Sequence, residues 1–348
     1  MEYLKILGKY PDGRVIYWVN QVTPAFGYIA FGVIDRGTNV LQVRPTTICP
    51  LNCIFCSVDA GPFSKHRWAE YIVDKHVIIK GVKEAIRYKG SGIEVLIDTM
   101  GDPLTYPYLV ELIHELKRIP GVSSVALETH GALMSYKYVD KLEKGGLDRI
   151  NLSIETLDRC KARILQGVNW FDVKTVINIS EYVAKNTKID LHITPLWIPG
   201  VNDKDVIDVV RWAIKIGAGK RWPPVTIQKY NVHRFGRKVR GVRPLSWREY
   251  WSRIEDLERT LGIKLRWSMD EWGMKYMKRI PIVYDIGSLI EVNIAGRGIF
   301  RGEYIGIDDR RHRIITIIGK HVQRSKRALV EIIKNKNGIY LGKIVKNL

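Results

Sequence analysis

The chain has 348 residues, 46% hydrophobic and 26% charged, with a formal net charge of +20. Length and composition set an expectation of about two globular domains and exclude a peptide hormone, a small disulfide scaffold, a disordered chain and a collagen-like repeat. The excess of Lys and Arg points to a polyanionic partner, nucleic acid first.

From residue 40 onward, short Val, Ile and Leu runs alternate with longer amphipathic stretches, the pattern of parallel strands joined by helical crossovers. Strands are predicted at 40–44, 93–99, 123–129, 149–155, 188–194 and 225–230, with helices at 75–88, 106–118, 136–143, 172–185 and 203–216. Gly145 and Gly217 stand where helix-ending glycines belong. A sixth helix opens with Ser246 and Glu249 in capping-box spacing and stops at Gly262, and a last short strand is predicted at 263–267. The fold class expected is α/β, a partial barrel of six β-α units over residues 39–278. Residues 1–38 are expected to form an accessory β hairpin, with strands at 14–19 and 28–34. Residues 279–348 break into five short strand-like runs separated by Gly, Asn, Asp or basic residues, the texture of a small all-β barrel. No apolar run approaches the roughly 18 residues of a membrane span, and Lys5 and Lys9 make the N-terminus unlike a signal peptide. A cytoplasmic protein without membrane association is expected.

Cys49, Cys53 and Cys56 lie within eight residues, directly after the first barrel strand, while Cys160 stands alone. In a reducing compartment such a cluster points to metal. A [4Fe–4S] cage usually takes four thiolates, so three leave one iron open to a substrate. The alternative is a structural zinc site completed by His66 or Cys160, although no second ligand pair is visible. Cys160 reads as a buried small hydrophobe or an inert helix residue.

This C-x3-C-x2-C segment, with Phe55 before the last cysteine, resembles the signature of the radical S-adenosylmethionine (SAM) superfamily, and the resemblance covers residues 39 to about 267. It implies that Cys49, Cys53 and Cys56 hold a [4Fe–4S] cluster whose open iron binds SAM and cleaves it to a 5′-deoxyadenosyl radical. It also places SAM contacts at the strand ends. Met100-Gly101-Asp102-Pro103 is similar to the family's Gly-Gly-Glu-Pro, which assigns Gly101 and Asp102 to the methionine amino group; an ordinary strand-to-helix turn is the alternative. Ser153 and Glu155 resemble the residues that hold the ribose and carboxylate, and alternation puts both on one side of a strand; capping of the following helix is the alternative. Asn202 lies in a segment that resembles the loop near the adenine, and Asp203 could cap the next helix. His130 departs from the family's Asn and is expected to be structural.

Residues 220–243 carry eight Lys or Arg and no acid, interleaved with Trp222, Tyr230, His233 and Phe235. Such a mixture suits phosphates and stacked bases, with Lys229, Arg234, Arg237, Lys238 and Arg240 as contacts. The C-terminal barrel resembles the TRAM domain, an OB-like RNA-binding module, with Arg310, Arg311, Arg313, Arg324, Lys326 and Arg327 as phosphate candidates. Together these imply a radical SAM enzyme that modifies a nucleoside in RNA, tRNA first among candidates, by methylation or a related transfer at an unactivated carbon. It would need an external electron donor. Radical SAM followed by TRAM resembles the tRNA methylthiotransferases, but the three further cysteines of their second cluster are missing here. No catalytic side chain can be named. The rivals are a radical SAM enzyme acting on a peptide or small metabolite, with the barrel structural, and a non-catalytic metal-containing RNA-binding protein.

Overall fold

The computed structural model describes residues 2–308, 310, 312–319 and 326–348. In chain order, strands β1 (Leu4–Lys9), β2 (Val15–Val19), β3 (Gly32–Asp35), β4 (Val40–Arg44) and β5 (Ala69–Val73) precede α1 (Lys75–Lys89), β6 (Ile93–Ile97) and α2 (Leu109–Lys117). Next come β7 (Val122–Thr129), α3 (Tyr136–Gly145), β8 (Arg149–Leu152), α4 (Arg159–Gln166), α5 (Val173–Asn186), β9 (Asp190–Ile193), β10 (Leu196–Trp197), α6 (Asp203–Ile216), β11 (Gln228–Lys229) and α7 (Trp247–Leu261). Five strands end the chain: β12 (Leu289–Arg297), β13 (Glu303–Asp308), β14 (Arg313–Ile318), β15 (Arg327–Lys334) and β16 (Tyr340–Asn347). They fall into two compact units, one of residues 1–48, 65–124 and 276–348, the other of residues 49–64 and 125–275.

In the first unit, β1 pairs antiparallel with β2, and β2 pairs parallel with β5. The expected hairpin between 14–19 and 28–34 does not form: β2 pairs with β1 and β5, and β3 pairs with β4, which runs parallel to β6. Helix α1 is started by the Asp74 side chain, which accepts the His76 amide, and it buries Val77, Ile78, Val82 and Ala85. Gly81 costs about 1 kcal/mol of helix propensity. Its reason is space: a Cβ there would lie 2.5 Å from the Ala25 Cβ and 2.7 Å from Val33 Cγ2.

Strands β12 to β16 close a barrel in the order β12-β13-β14-β16-β15, around Val292, Ile315, Ile317, Val330 and Tyr340. This barrel is bonded into the rest of its unit. The Tyr71 hydroxyl donates to the Arg297 carbonyl at 2.6 Å, Ile299 donates to the Tyr28 hydroxyl at 2.8 Å, and Tyr340 donates to the Gly27 carbonyl at 2.9 Å.

In the second unit, β7, β8 and β9 form a parallel sheet that α3, α4 and α5 connect. The helix before β8 ends not at Gly145, which lies inside α3, but at Gly146 in the left-handed conformation. The sixth strand is reduced to β11 paired with β10, and residues 263–267 form no strand. Trp222 and Tyr230, expected beside a nucleic acid, are buried core residues. Among the described residues no helix is long and apolar enough to cross a membrane.

Candidate metal centre

The cysteine loop opens the second unit. Its backbone docks on the C-terminal end of α4, where Asn52 donates to the Gln166 carbonyl at 2.9 Å and Ile54 to the Leu165 carbonyl at 3.0 Å. A helix end leaves such carbonyls without intrahelical partners, so the loop satisfies acceptors that would otherwise need water. Gly167 allows the approach. It is left-handed at φ 65°, and a Cβ there would lie 2.1 Å from the Asn52 carbonyl oxygen.

All three cysteines are free thiols; Cys53 is buried, and Cys49 and Cys56 are half-buried. The Cys53 thiol donates to Gln166 Oε1 at 2.7 Å, and Gln166 Nε2 donates to Glu155 Oε2 at 2.6 Å. His130 lies between them, with Nε2 4.0 Å from Cys53 Sγ and Nδ1 3.9 Å from Glu155 Oε2. The histidine expected to be structural thus stands beside the cysteine loop. Phe55 is buried with its ring 6.3 Å from the His130 ring.

Burial pushes the Cys53 thiol well up, and neighbouring Cys49, Cys56 and Glu155 push it further; only the Arg237 cation opposes them. Burial likewise raises Glu155, against His130 and the Gln166 hydrogen bond. Glu155 is 2% exposed, and its Oε1 has no hydrogen-bond partner. Two half-buried thiols and one buried beside an under-satisfied carboxylate are groups whose negative charge iron would offset, so the donor set fits a thiolate-held cluster. Among the described residues no three His, Cys, Asp or Glu side chains are gathered closely enough to hold a metal ion. Cys160 is exposed in the first turn of α4, not buried.

The other expected contacts divide. Ser153 and Glu155 follow β8 without capping a helix, since Asp158 caps α4, and the Ser153 hydroxyl lies 3.3 Å from that of Thr194. Asn202 is fully buried and spent internally. Its Nδ2 donates to the Glu155 and Leu196 carbonyls, and its Oδ1 accepts the Ile198 amide at 2.8 Å. Asn202, not Asp203, is the N-cap of α6, and Asp203 instead accepts the Trp197 indole at 2.7 Å.

In the first unit, the Asp102 carboxylate accepts the Leu104 amide and caps a 3-10 turn. Gly101 packs so closely that a Cβ would lie 2.2 Å from the Ile48 carbonyl oxygen. Arg67, which sequence reasoning passed over, holds this turn. Fully buried, it donates to the Thr47 carbonyl at 2.8 Å and to the Met100 carbonyl, and it pairs with Glu70 at 2.8 Å. Arg14 pairs with the other Glu70 oxygen at 3.0 Å.

Of the cations expected to meet RNA, Arg237 is turned inward. Its Nε pairs with Asp59 at 2.9 Å, and Nη1 and Nη2 donate to the Cys53 and Ala60 carbonyls at 3.0 and 2.6 Å. Arg313 is buried against Phe26, Lys229 donates to Asn231 at 2.6 Å, and Arg327 pairs with Glu291 at 2.6 Å. Arg234, Lys238, Arg240, Arg310 and Lys326 are exposed, and Arg311 and Arg324 lie outside the described residues. Nothing in the sequence flags Gln166, Arg67 or the inward turn of Arg237. Each has partners distant in the chain.

Comparison with known proteins gives the following. Residues 43–213 match the Radical SAM superfamily. An uncharacterized protein of Methanocaldococcus jannaschii is 33% identical over 354 residues, covering 95% of this chain and 81% of its own. A probable GTP 3',8-cyclase of Pyrococcus horikoshii is 29% identical over 186 residues, covering 53% of this chain and 54% of its own, so the chain spans about half the length of that relative. Among solved structures, that of TYW1 with a lysine-pyruvate adduct bound is similar at 18% identity and a TM-score of 0.47, covering 70% of this chain and 81% of that one. Residues 43–213 thus form a domain of the Radical SAM superfamily, whose enzymes use a [4Fe–4S] cluster and SAM.

Proposed function

We propose that this radical SAM enzyme modifies a nucleoside in RNA, tRNA first, at an unactivated carbon. The observation that carries the reading is a cationic and aromatic surface in the unit that holds the cysteine loop. Lys238, Arg240 and Arg243 are exposed there. On α7, Trp247 and Trp251 are 59% and 44% exposed, their rings near-parallel at 22° with centroids 6.2 Å apart, and Lys229 Nζ lies 5.0 Å from the Trp247 ring. Exposed indoles beside cations suit bases and phosphates together. Arg310 and Lys326 would add phosphate contacts from the C-terminal barrel, in the TRAM-like role.

When bound, the cluster and SAM supply a 5′-deoxyadenosyl radical able to take a hydrogen atom from carbon. The chain's part is to bind, orient and exclude water. Cys49, Cys53 and Cys56 would hold the cluster, Phe55 and His130 would lie beside it, and Ser153 and Glu155 would offer polar contacts to SAM. An external donor supplies the electron.

A second reading, a free purine nucleotide as substrate, is favoured by the similarity to the GTP 3',8-cyclase. The test is mass spectrometry of nucleosides from total tRNA of the source organism with and without the gene. One modified nucleoside should disappear, its mass naming the group transferred. An unchanged profile, with conversion of GTP by the purified enzyme, would replace the RNA reading by the nucleotide one.

A further inference from the structure

Arg237 comes from the segment whose charge pattern points outward to a polyanion, yet only 16% of its side chain is exposed. It meets the cysteine loop at four points. Its own amide donates to the Cys56 carbonyl at 2.8 Å, and its guanidinium reaches the Cys53 carbonyl, the Ala60 carbonyl and the Asp59 carboxylate. Asp59 is 2% exposed, and its other oxygen accepts from the Ser64 hydroxyl at 3.0 Å. The preceding residue must be small, since a Cβ on Gly236 would lie 2.8 Å from the Ser57 and 2.9 Å from the Cys56 carbonyl oxygen. A planar fork of donors held by a carboxylate is suited to fix several carbonyls at once, which an ammonium cannot do.

Charge matters here as much as shape. Among the described residues the ionisable groups seen at Cys53 are Cys49, Cys56, Glu155, His130 and Arg237, and of these Arg237 carries a permanent positive charge. Cluster potentials follow net charge and hydrogen bonding around the sulfurs. We infer that Arg237 is a positioning residue for the cluster: it clamps the Cys53–Ala60 backbone and, against the opposing charge of Asp59, sets the ease with which one electron from an external low-potential donor enters the centre. Losing the cation while Asp59 stays buried adds net negative charge and makes reduction harder. Neutralising Asp59 does the reverse.

The test uses the full-length protein, reconstituted anaerobically with iron and sulfide and without SAM, in redox titrations followed by electron paramagnetic resonance. For Arg237→Gln the one-electron equilibrium should move at least tenfold toward the oxidised form, about 59 mV more negative. For Asp59→Asn it should move the other way. Arg237→Lys, which keeps the charge and loses the fork, should stay within about threefold of wild type in potential, while hydrogen exchange at the amides of residues 53–60 rises. Opposite signs for Arg237→Gln and Asp59→Asn are the signature, because a purely structural contact would lower iron loading in both and leave the potential alone. Shifts of the same sign, or no shift in loaded protein, would overturn the inference. Should Arg237→Gln fail to load, Asp59→Asn decides alone, since an unchanged or lowered potential there is equally fatal.

Discussion

His192 on β9 is 1% exposed, its Nδ1–H donating to the Pro223 carbonyl at 2.5 Å and its ring edge-on to Trp272 at 4.5 Å. Burial, with nearby Arg149, drives its pKa from 6.5 down to about 3, against the pull of the Pro223 carbonyl and Asp190. The folded state therefore holds this imidazole neutral while the unfolded chain protonates it. Stability from this group is complete above pH 6.5 and drains away as pH falls toward 3, at up to about 1.4 kcal/mol per pH unit. Urea unfolding of the wild type should lose about 2 to 3 kcal/mol more between pH 7 and pH 4.5 than that of His192→Gln, which keeps a donor for Pro223 and cannot titrate. Equal losses in the two proteins would remove His192 as an acid trigger. At this scale the sequence was most legible where chemistry is local. Three cysteines within eight residues announce a metal, whereas the alternation expected over 149–155 outruns β8, which ends at Leu152. Gln166 and Arg237 were opaque because their partners lie 113 and 184 residues away from them, both at Cys53.

Helix signals written in neighbouring residues were likewise readable. The Ser246 and Glu249 capping box forms with both of its bonds, α6 spans the predicted residues, and Gly217 and Gly262 end their helices in the left-handed conformation. Helix α4 escaped because it is only eight residues long, with Ala162, Leu165 and Gln166 as its buried residues. Yet it is the element on which the cysteine loop rests. That dependence falls on Gly167. Alanine there would hold a positive φ and drive its Cβ into the Asn52 carbonyl, a backbone atom that cannot step aside without carrying the loop with it. Gly167→Ala should destabilise the apo-protein by about 1 to 3 kcal/mol, as strained backbone positions do. Its iron content after reconstitution should also fall well below wild type. Full iron loading in that variant would show that the loop does not need the end of α4 to set its thiols.

The charge of +20 belongs to the whole molecule, but the structure redistributes it unevenly. Among the described residues Arg14, Arg44, Arg67, Lys89, Arg149 and Arg313 are buried, and Arg237 is drawn into the cysteine loop, so seven of the cations behind that total face inward. A composition cannot separate a cation that braces carbonyls from one that awaits a phosphate. The barrel changes the choice of experiment in the same way. Removing residues 283–348 would strip Tyr28, Tyr71 and Gly27 of their partners in the first unit, so a loss of activity on truncation could be a loss of fold. Exposed side chains give the cleaner test. Counterion release makes log K fall with log salt by about 0.7 for each phosphate contact on single-stranded nucleic acid, so Lys238→Gln with Arg240→Gln should flatten the slope of tRNA binding by about 0.7 to 1.4. Trp247→Ala should weaken binding at every salt concentration by about 1 to 3 kcal/mol and leave the slope alone, because stacking releases no counterions. Binding titrations between low and physiological salt separate the two effects. A slope unchanged by the double substitution would move the RNA off this surface, and an affinity unchanged by Trp247→Ala would leave the paired indoles without a base to hold.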